Sequence, residues 1–233
     1  MIKSLYTINR SLNVIQKRQE NTSANLVNAN TSGYKFQKVV QSTMETREMI
    51  NYTGGANKNV RNPIGQFVFG NQVDEYYRNF SSAPIYETGN STDFAINGDG
   101  FFTVELNNGQ IAYTRNGNFR VNEANELVTV EGYRVLGENG YININDLNFN
   151  FVISSPEDFN TLISIGDTLF TSQAPMNQIE ADVKRGFLEA SNVNLVDEMV
   201  KLIEITREFE ANQKLMHAAD ETLNKAVNEV GKV

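Results

Sequence analysis

The chain begins and ends with a long amphipathic stripe, and the two stripes constrain its fold more than any other feature. Near the start, a stripe that is apolar except at Gln19 and Thr22 recurs at alternating spacings of three and four: Leu5, Ile8, Leu12, Ile15, Gln19, Thr22, Leu26 and Ala29. Near the end a second set falls every seventh residue, with two companions on a neighbouring seam: Leu195, Leu202, Phe209, Met216, Leu223 and Val230, with Met199 and Val227. This spacing is typical of helices that pack along their length. We therefore expect the terminal helices to pair as a coiled coil and to form, through these residues, an assembly interface between copies.

The second seam of the last helix also carries polar residues, namely Thr206, Gln213 and Asp220. Amphipathic helices usually cover the core of their own domain. Polar residues in a seam lower the stability of an isolated pair and can fix the register of an assembled one. Together with the length of the stripes and their presence at both ends, these positions favour self-association.

Turn signals place the ends of the helices. The first helix is expected to run from Ile2 to Asn28, with Gly33 as the left-handed residue beyond its end. The last helix is expected to begin after Asn194 and to continue to Val230. Between Gln37 and Asn51 a short apolar rhythm is ambiguous between helix and extended chain, and residues 36–72 are interpreted as a connector.

The middle of the chain has the pattern of β-structure. Short β-branched or aromatic runs such as Phe101–Val104 alternate with glycine turns that include Gly98, Gly100 and Gly117. Asn-Gly pairs between short strands are strong hairpin signals. The sequence thus predicts an α+β fold, in which residues 1–35 and 187–233 form the helical coiled-coil domain and residues 73–186 form a central antiparallel β-domain.

Composition excludes several classes of function. A formal net charge of −8 disfavours nucleic acid, and no apolar run approaches the length of a membrane span. The start of the chain lacks the pattern of a cleavable secretory signal. Cysteine is absent and His217 is the only histidine, so the usual zinc sites cannot form. The loop around Asp99 lacks the ligand spacing of a calcium loop and the lysine of a phosphate loop. We expect no enzyme, cofactor, metal or small-molecule substrate.

Four motifs in order carry a family resemblance. They are Asn21 to Lys35, with Ala24-Asn25-Leu26-Val27-Asn28-Ala29-Asn30-Thr31-Ser32-Gly33-Tyr34-Lys35; Asp93-Phe94-Ala95-Ile96-Asn97-Gly98-Asp99-Gly100-Phe101-Phe102; Tyr113-Thr114-Arg115-Asn116-Gly117-Asn118-Phe119 followed by Gly132-Tyr133-Arg134-Val135-Leu136-Gly137; and Ser191-Asn192-Val193-Asn194-Leu195-Val196-Asp197-Glu198-Met199-Val200. The chain resembles the bacterial flagellar rod and hook proteins, and most of all their distal and proximal rod subunits. It is too short for the large outer domain typical of hook proteins.

The resemblance implies a structural subunit of the flagellar basal body that lies outside the cytoplasm. It implies export through the flagellar type III apparatus without a cleaved signal. It also implies helical polymerisation and contacts with other rod and hook proteins, with paired terminal helices inside and the β-domain outside. The alternative is an extracellular adhesion or glycan-binding β-module on a coiled-coil oligomerisation stem.

Overall fold

A computed structural model describes residues 2–53, 60–146 and 149–230, and its contacts divide the chain into two compact units. The helical unit comprises Met1–Ala24, Gln37–Tyr77 and Val196–Val233. The β-unit comprises Asn25–Phe36 and Arg78–Leu195. The boundaries differ from the expected ones because residues 25–36 dock in the β-unit, and because residues 37–77 cluster with the helices.

Two long helices bound the chain, as the stripes predict. Helix α1 spans Ile2–Val27 and is followed by a 3-10 turn at Asn28–Asn30. Helix α2 spans Leu195–Lys225 and continues as a π-helical turn over Ala226–Val230. At 1.5 Å per residue the α-helical part of α2 is about 46 Å long. In the described ranges, no helix combines the length and the apolarity required to cross a bilayer.

The stretch interpreted as a connector forms four strands. Strands β1 (Gln37–Thr43) and β4 (Asn71–Arg78) pair with each other, and β2 (Thr46–Thr53) pairs antiparallel with β3 (Val60–Val68). The described side chains of β3 are exposed throughout. A ribbon without a buried face needs no alternation of apolar and polar residues, so the sequence gives little sign of it.

The β-unit is built around a sheet that contains ten strands in the described ranges. Its backbone path runs β14-β15-β8-β7-β11-β10-β9, and β12, β13 and β16 join it at the side. The pairings resolved for this sheet are antiparallel. The ten strands are β7 (Phe101–Glu105), β8 (Ile111–Thr114), β9 (Arg120–Val121), β10 (Leu127–Val128), β11 (Arg134–Gly137), β12 (Gly140–Tyr141), β13 (Ile153–Pro156), β14 (Leu162–Ser164), β15 (Leu169–Ser172) and β16 (Met176–Ile179).

Two further antiparallel pairs complete the β-unit. Strand β5 (Ile85–Glu87) pairs with β18 (Phe187–Glu189), and β6 (Phe94–Asn97) pairs with β17 (Asp182–Arg185). These pairs bring the residues just before α2 back beside the start of the β-unit. The expected α+β architecture with an antiparallel β-domain is confirmed.

The core of the β-unit is aromatic. The rings of Phe102 and Phe119 lie 5.1 Å apart between centroids, and Phe151 lies 5.1 Å from Phe102 and 4.8 Å from Phe94. Most of these contacts are edge-to-face, the geometry that ring quadrupoles favour. Residues 25–36 contribute no member to this hydrophobic core.

Candidate assembly site

Helix α1 covers much of its predicted stripe within the chain. Ile15 is buried, and Leu5, Ile8, Leu12 and Leu26 are half-buried. Leu26 belongs to the β-unit, whereas the other four belong to the helical unit. The structure therefore divides the predicted stripe between two bodies.

A second face of α1 packs on the strands of the helical unit. Val14, one residue before the stripe, is buried. The side-chain amide of Asn21 donates a hydrogen bond of 2.7 Å to the carbonyl of Gln37 in β1. Arg10 donates to the carbonyl of Phe69 at 3.4 Å. The sequence stripe showed only one of these two covered faces.

Helix α2 follows the predicted seven-residue repeat but has a different second seam. Leu202, Phe209, Met216 and Leu223 are half-buried, and the buried apolar side chain beside them is Ile205. The second seam therefore lies three residues after each repeat position: Ile205, Asn212, Ala219 and Ala226. The sequence interpretation placed it four residues after them, and those positions are exposed: Met199, Thr206, Gln213, Asp220 and Val227.

Three of the predicted interface residues are thus open to solvent in the free chain. Leu195 is 42% exposed, Met199 47% and Val227 64%. The side chain of Val230 lies outside those that the structure describes. Exposure before assembly is what a contact between copies requires, and the participation of these residues in such a contact stays a prediction.

The two helices contact each other within the helical unit. A guanidinium nitrogen of Arg18 on α1 lies 2.6 Å from a carboxylate oxygen of Glu208 on α2. Both side chains remain partly exposed, so the pair adds little net stability but fixes which faces meet.

An exposed apolar surface lies at the start of α2, and we call it the α2 patch. It comprises Val196, Met199, Val200 and Ile203, which share one helix face because they are spaced by three, four and seven. Ile203 is 55% exposed although Leu202 and Ile205 on the opposite side are covered. The helix is therefore apolar on two faces in its first turns, and only one of them is covered by its own chain.

The β-unit contains a buried ion cluster that joins three residues far apart in the sequence. The Nζ atom of Lys35 lies 2.9 Å from Oε1 of Glu189, and a guanidinium nitrogen of Arg115 lies 3.3 Å from Oε2 of the same carboxylate. All three side chains are at most 3% exposed. Burial lowers the pKa of Lys35, and the nearby Glu189 partly opposes that shift. In the sequence, Lys35 and Arg115 stand out only as members of motifs, and no local pattern indicates Glu189 as their partner.

The expected turn glycines have different physical roles. Gly33 has a φ of +68°, and a Cβ there would lie 2.4 Å from the backbone of Arg115. Gly98 and Gly100 also have positive φ. Gly117 has no positive φ; instead, a Cβ there would lie 1.6 Å from the carbonyl oxygen of Phe94. Its requirement for glycine is steric and does not come from a turn.

The described residues contain no group of three or more acidic, histidine or cysteine side chains that could hold a metal ion. His217 is exposed on α2.

Comparison with known proteins identifies the family. The family model for the flagellar hook protein FlgE/F/G D1 domain matches residues 95–168, and the one for the flagellar basal body rod FlgEFG protein C-terminal matches residues 184–229. The chain is 32% identical to the flagellar basal-body rod protein FlgF of Caulobacter vibrioides, over 97% of this chain and 94% of that protein. It is 31% identical to the rod protein FlgG of Buchnera aphidicola subsp. Schizaphis graminum, over 97% and 98%, and 29% identical to FlgG of Bacillus subtilis, over 98% and 99%. The chain therefore belongs to the family of flagellar basal-body rod proteins.

Proposed function

We propose that this chain is a structural, non-enzymatic subunit of the flagellar basal-body rod. The flagellar type III apparatus exports it, and copies polymerise helically into the shaft that transmits torque through the cell envelope outside the cytoplasm. Its partners are further copies and other rod and hook proteins. The proposal is supported by similarity to flagellar rod proteins that extends over nearly the whole chain.

The α2 patch is the observation that carries the assembly step. A fully buried aliphatic side chain contributes roughly 1.5–3 kcal/mol relative to an exposed one. The four residues of the patch are half to two-thirds exposed, so covering them yields on the order of 5 kcal/mol per copy. The translational and rotational freedom that a subunit loses on association costs a free energy of at least about the same size. A single contact is therefore weak, whereas a helical polymer, in which each subunit has several neighbours, is stable.

The two terminal helices act as one element in this scheme. We propose that α1 and α2 pair as a short coiled coil, with Ile15 and Ile205 on the covered faces and the Arg18–Glu208 contact fixing their alignment. The α2 patch then faces neighbouring copies, and Met199 lies at its centre.

A pair of charge substitutions on one helix tests this function. M199E places a carboxylate in the α2 patch, and A211E adds the same charge at an exposed position twelve residues further on that lies on neither predicted seam. Both side chains are already exposed, so both variants should fold as the wild type does. Electron microscopy and light scattering of concentrated protein should show tubes or stacks for the wild type and A211E but not for M199E. Equal polymerisation of M199E, or only discrete small oligomers of the wild type, would contradict the proposal.

A further inference from the structure

Residues 25–36, the docked segment, are attached to the β-unit mainly by polar contacts. The amide of Gly33 donates to the carbonyl of Glu189 at 2.9 Å, and the amide of Phe36 donates to the side chain of Asn192 at 2.6 Å. Within the segment, the hydroxyl of Tyr34 donates to Asn25 at 3.1 Å. Tyr34 is its one fully buried aromatic or aliphatic side chain, and Leu26, Ala29 and Phe36 are half-buried. Hydrophobic burial therefore holds the segment less firmly than it holds the aromatic core.

The charges beneath the segment are unbalanced. Lys35 and Arg115 bring two positive charges to one carboxylate, that of Glu189, and Asp99 adds a weaker attraction to both cations. Glu189 also accepts from the amide of Ala83 at 2.9 Å. Its other oxygen and the Nε of Arg115 have no hydrogen-bond partner. Removal of the Glu189 charge would leave two buried cations close together without a carboxylate between them, an arrangement that is strongly unfavourable.

Of the two cations, only Lys35 can move away to relieve this repulsion without disrupting the core. Arg115 donates hydrogen bonds to the backbone carbonyl of Ile96 in β6 and to that of Gly98 just after it. Lys35 lies on the docked segment and donates, besides Glu189, to the carbonyl of Ser81 at 2.8 Å. Movement of the docked segment would return Lys35 to water, whereas movement of Arg115 would disrupt β6 and the core behind it.

We propose that the Glu189 carboxylate acts as a charge-dependent latch that holds residues 25–36 on the β-unit. Loss of its negative charge releases this segment while the aromatic core stays folded. Asn25 lies in the last turn of α1 and Asn192 stands three residues before α2, so the latch connects the segment that follows α1 with the segment that precedes α2. The inference concerns the single chain and holds whether or not copies polymerise.

Trypsin provides a direct test because both cations of the cluster are tryptic sites. In the wild type both bonds should be protected, since Lys35 is 0% and Arg115 3% exposed. In E189Q, cleavage after Lys35 should accelerate by about a hundredfold or more, because cleavage follows the population of the open form. Cleavage after Arg115 should stay at the wild-type rate. The matched control is E138Q, which removes the charge of an exposed glutamate in the same unit and should leave both rates unchanged.

Each other outcome overturns the latch. Unchanged protection of Lys35 in E189Q would mean that the carboxylate does not hold the segment. Equal acceleration after Lys35 and Arg115, or failure of E189Q to fold, would mean that the segment and the core unfold as one body.

Hydrogen exchange of the wild type is independent of how the variant folds. The amides of Gly33 and Phe36 should exchange at least about tenfold faster than that of Leu127, which donates to Ile142 in the core. Equal rates at the three amides would refute the latch without any substitution.

Discussion

Among the described glycines of the β-unit, Gly117 is the one where an added Cβ would lie nearest to another backbone atom, and an alanine there should be costly. Its carbonyl accepts hydrogen bonds from the amides of Phe94 at 3.0 Å and Phe119 at 2.9 Å. A Cβ would stand 1.6 Å from the carbonyl oxygen of Phe94, whereas real Cβ contacts stay beyond 3.0 Å. The two backbones would have to separate by about 1.4 Å. Because the obstacle is backbone, a side-chain rotation cannot relieve it.

The free-energy cost of G117A follows from these contacts. Overpacking of a tight site costs about 1–3 kcal/mol, and an unsatisfied buried amide or carbonyl about 1–3 kcal/mol more. We expect G117A to lower the free energy of unfolding by about 3–5 kcal/mol. The matched control is G109A, where a Cβ meets open space and only the φ of +78° is unfavourable, at about 1–2 kcal/mol.

Urea denaturation followed by far-UV circular dichroism measures both variants. The midpoint of the transition assigned to the β-unit should fall much further for G117A than for G109A at similar slopes. If the two variants lose the same stability within about 0.5 kcal/mol, the close approach at Gly117 does not limit the fold and the steric argument is refuted.

Three further predictions concern the buried lysine and the helices. Burial lowers the pKa of Lys35 in the folded chain below its ordinary value of 10.5. Between the folded and the unfolded pKa the unfolded chain binds more protons than the folded one. The free energy of unfolding contributed at this site therefore rises with pH. The free energy of unfolding of the wild type minus that of K35M should therefore increase as the pH rises towards 10.5, and a decrease would contradict the assignment. I205A should lower the stability of the helical unit by about 2–4 kcal/mol and T206A by less than about 0.5 kcal/mol in thermal unfolding, whereas the reverse order would restore the seam inferred from sequence. A double-mutant cycle of R18A and E208A should give a coupling below about 1 kcal/mol, because both side chains are partly exposed; a larger value would contradict the small net stability assigned to this pair.

The long elements and the family could be read from the sequence because their signals are local. Turn signals placed both ends of α1 and the start of α2 within a residue, and the predicted end of α2 at Val230 is the end of the π-helical turn that follows the α-helix. Asn-Gly signals coincide with the turns between β7 and β8 and between β11 and β12. The signal at Gly98 does not join neighbouring strands, because β6 pairs with β17 and not with β7.

The rest depends on contacts between distant residues. Lys35 and Glu189 are 154 positions apart, and no local pattern relates them. The seam that uses Ile205 differs by one residue from the seam that uses Thr206, and only packing decides between spacings of three and four. The ribbon of β2 and β3 has no fully buried side chain among those described, so it carries no apolar alternation to detect.

The central claim is that the α2 patch becomes covered when copies assemble. The chain contains no cysteine, so M199C and the control A211C each introduce a single thiol at an exposed position. Reaction of each thiol with a maleimide can be timed in dilute monomer and in assembled protein. We predict rapid labelling of both in the monomer, and at least about tenfold slower labelling of M199C than of A211C after assembly. Equal labelling of M199C in both states would contradict the account.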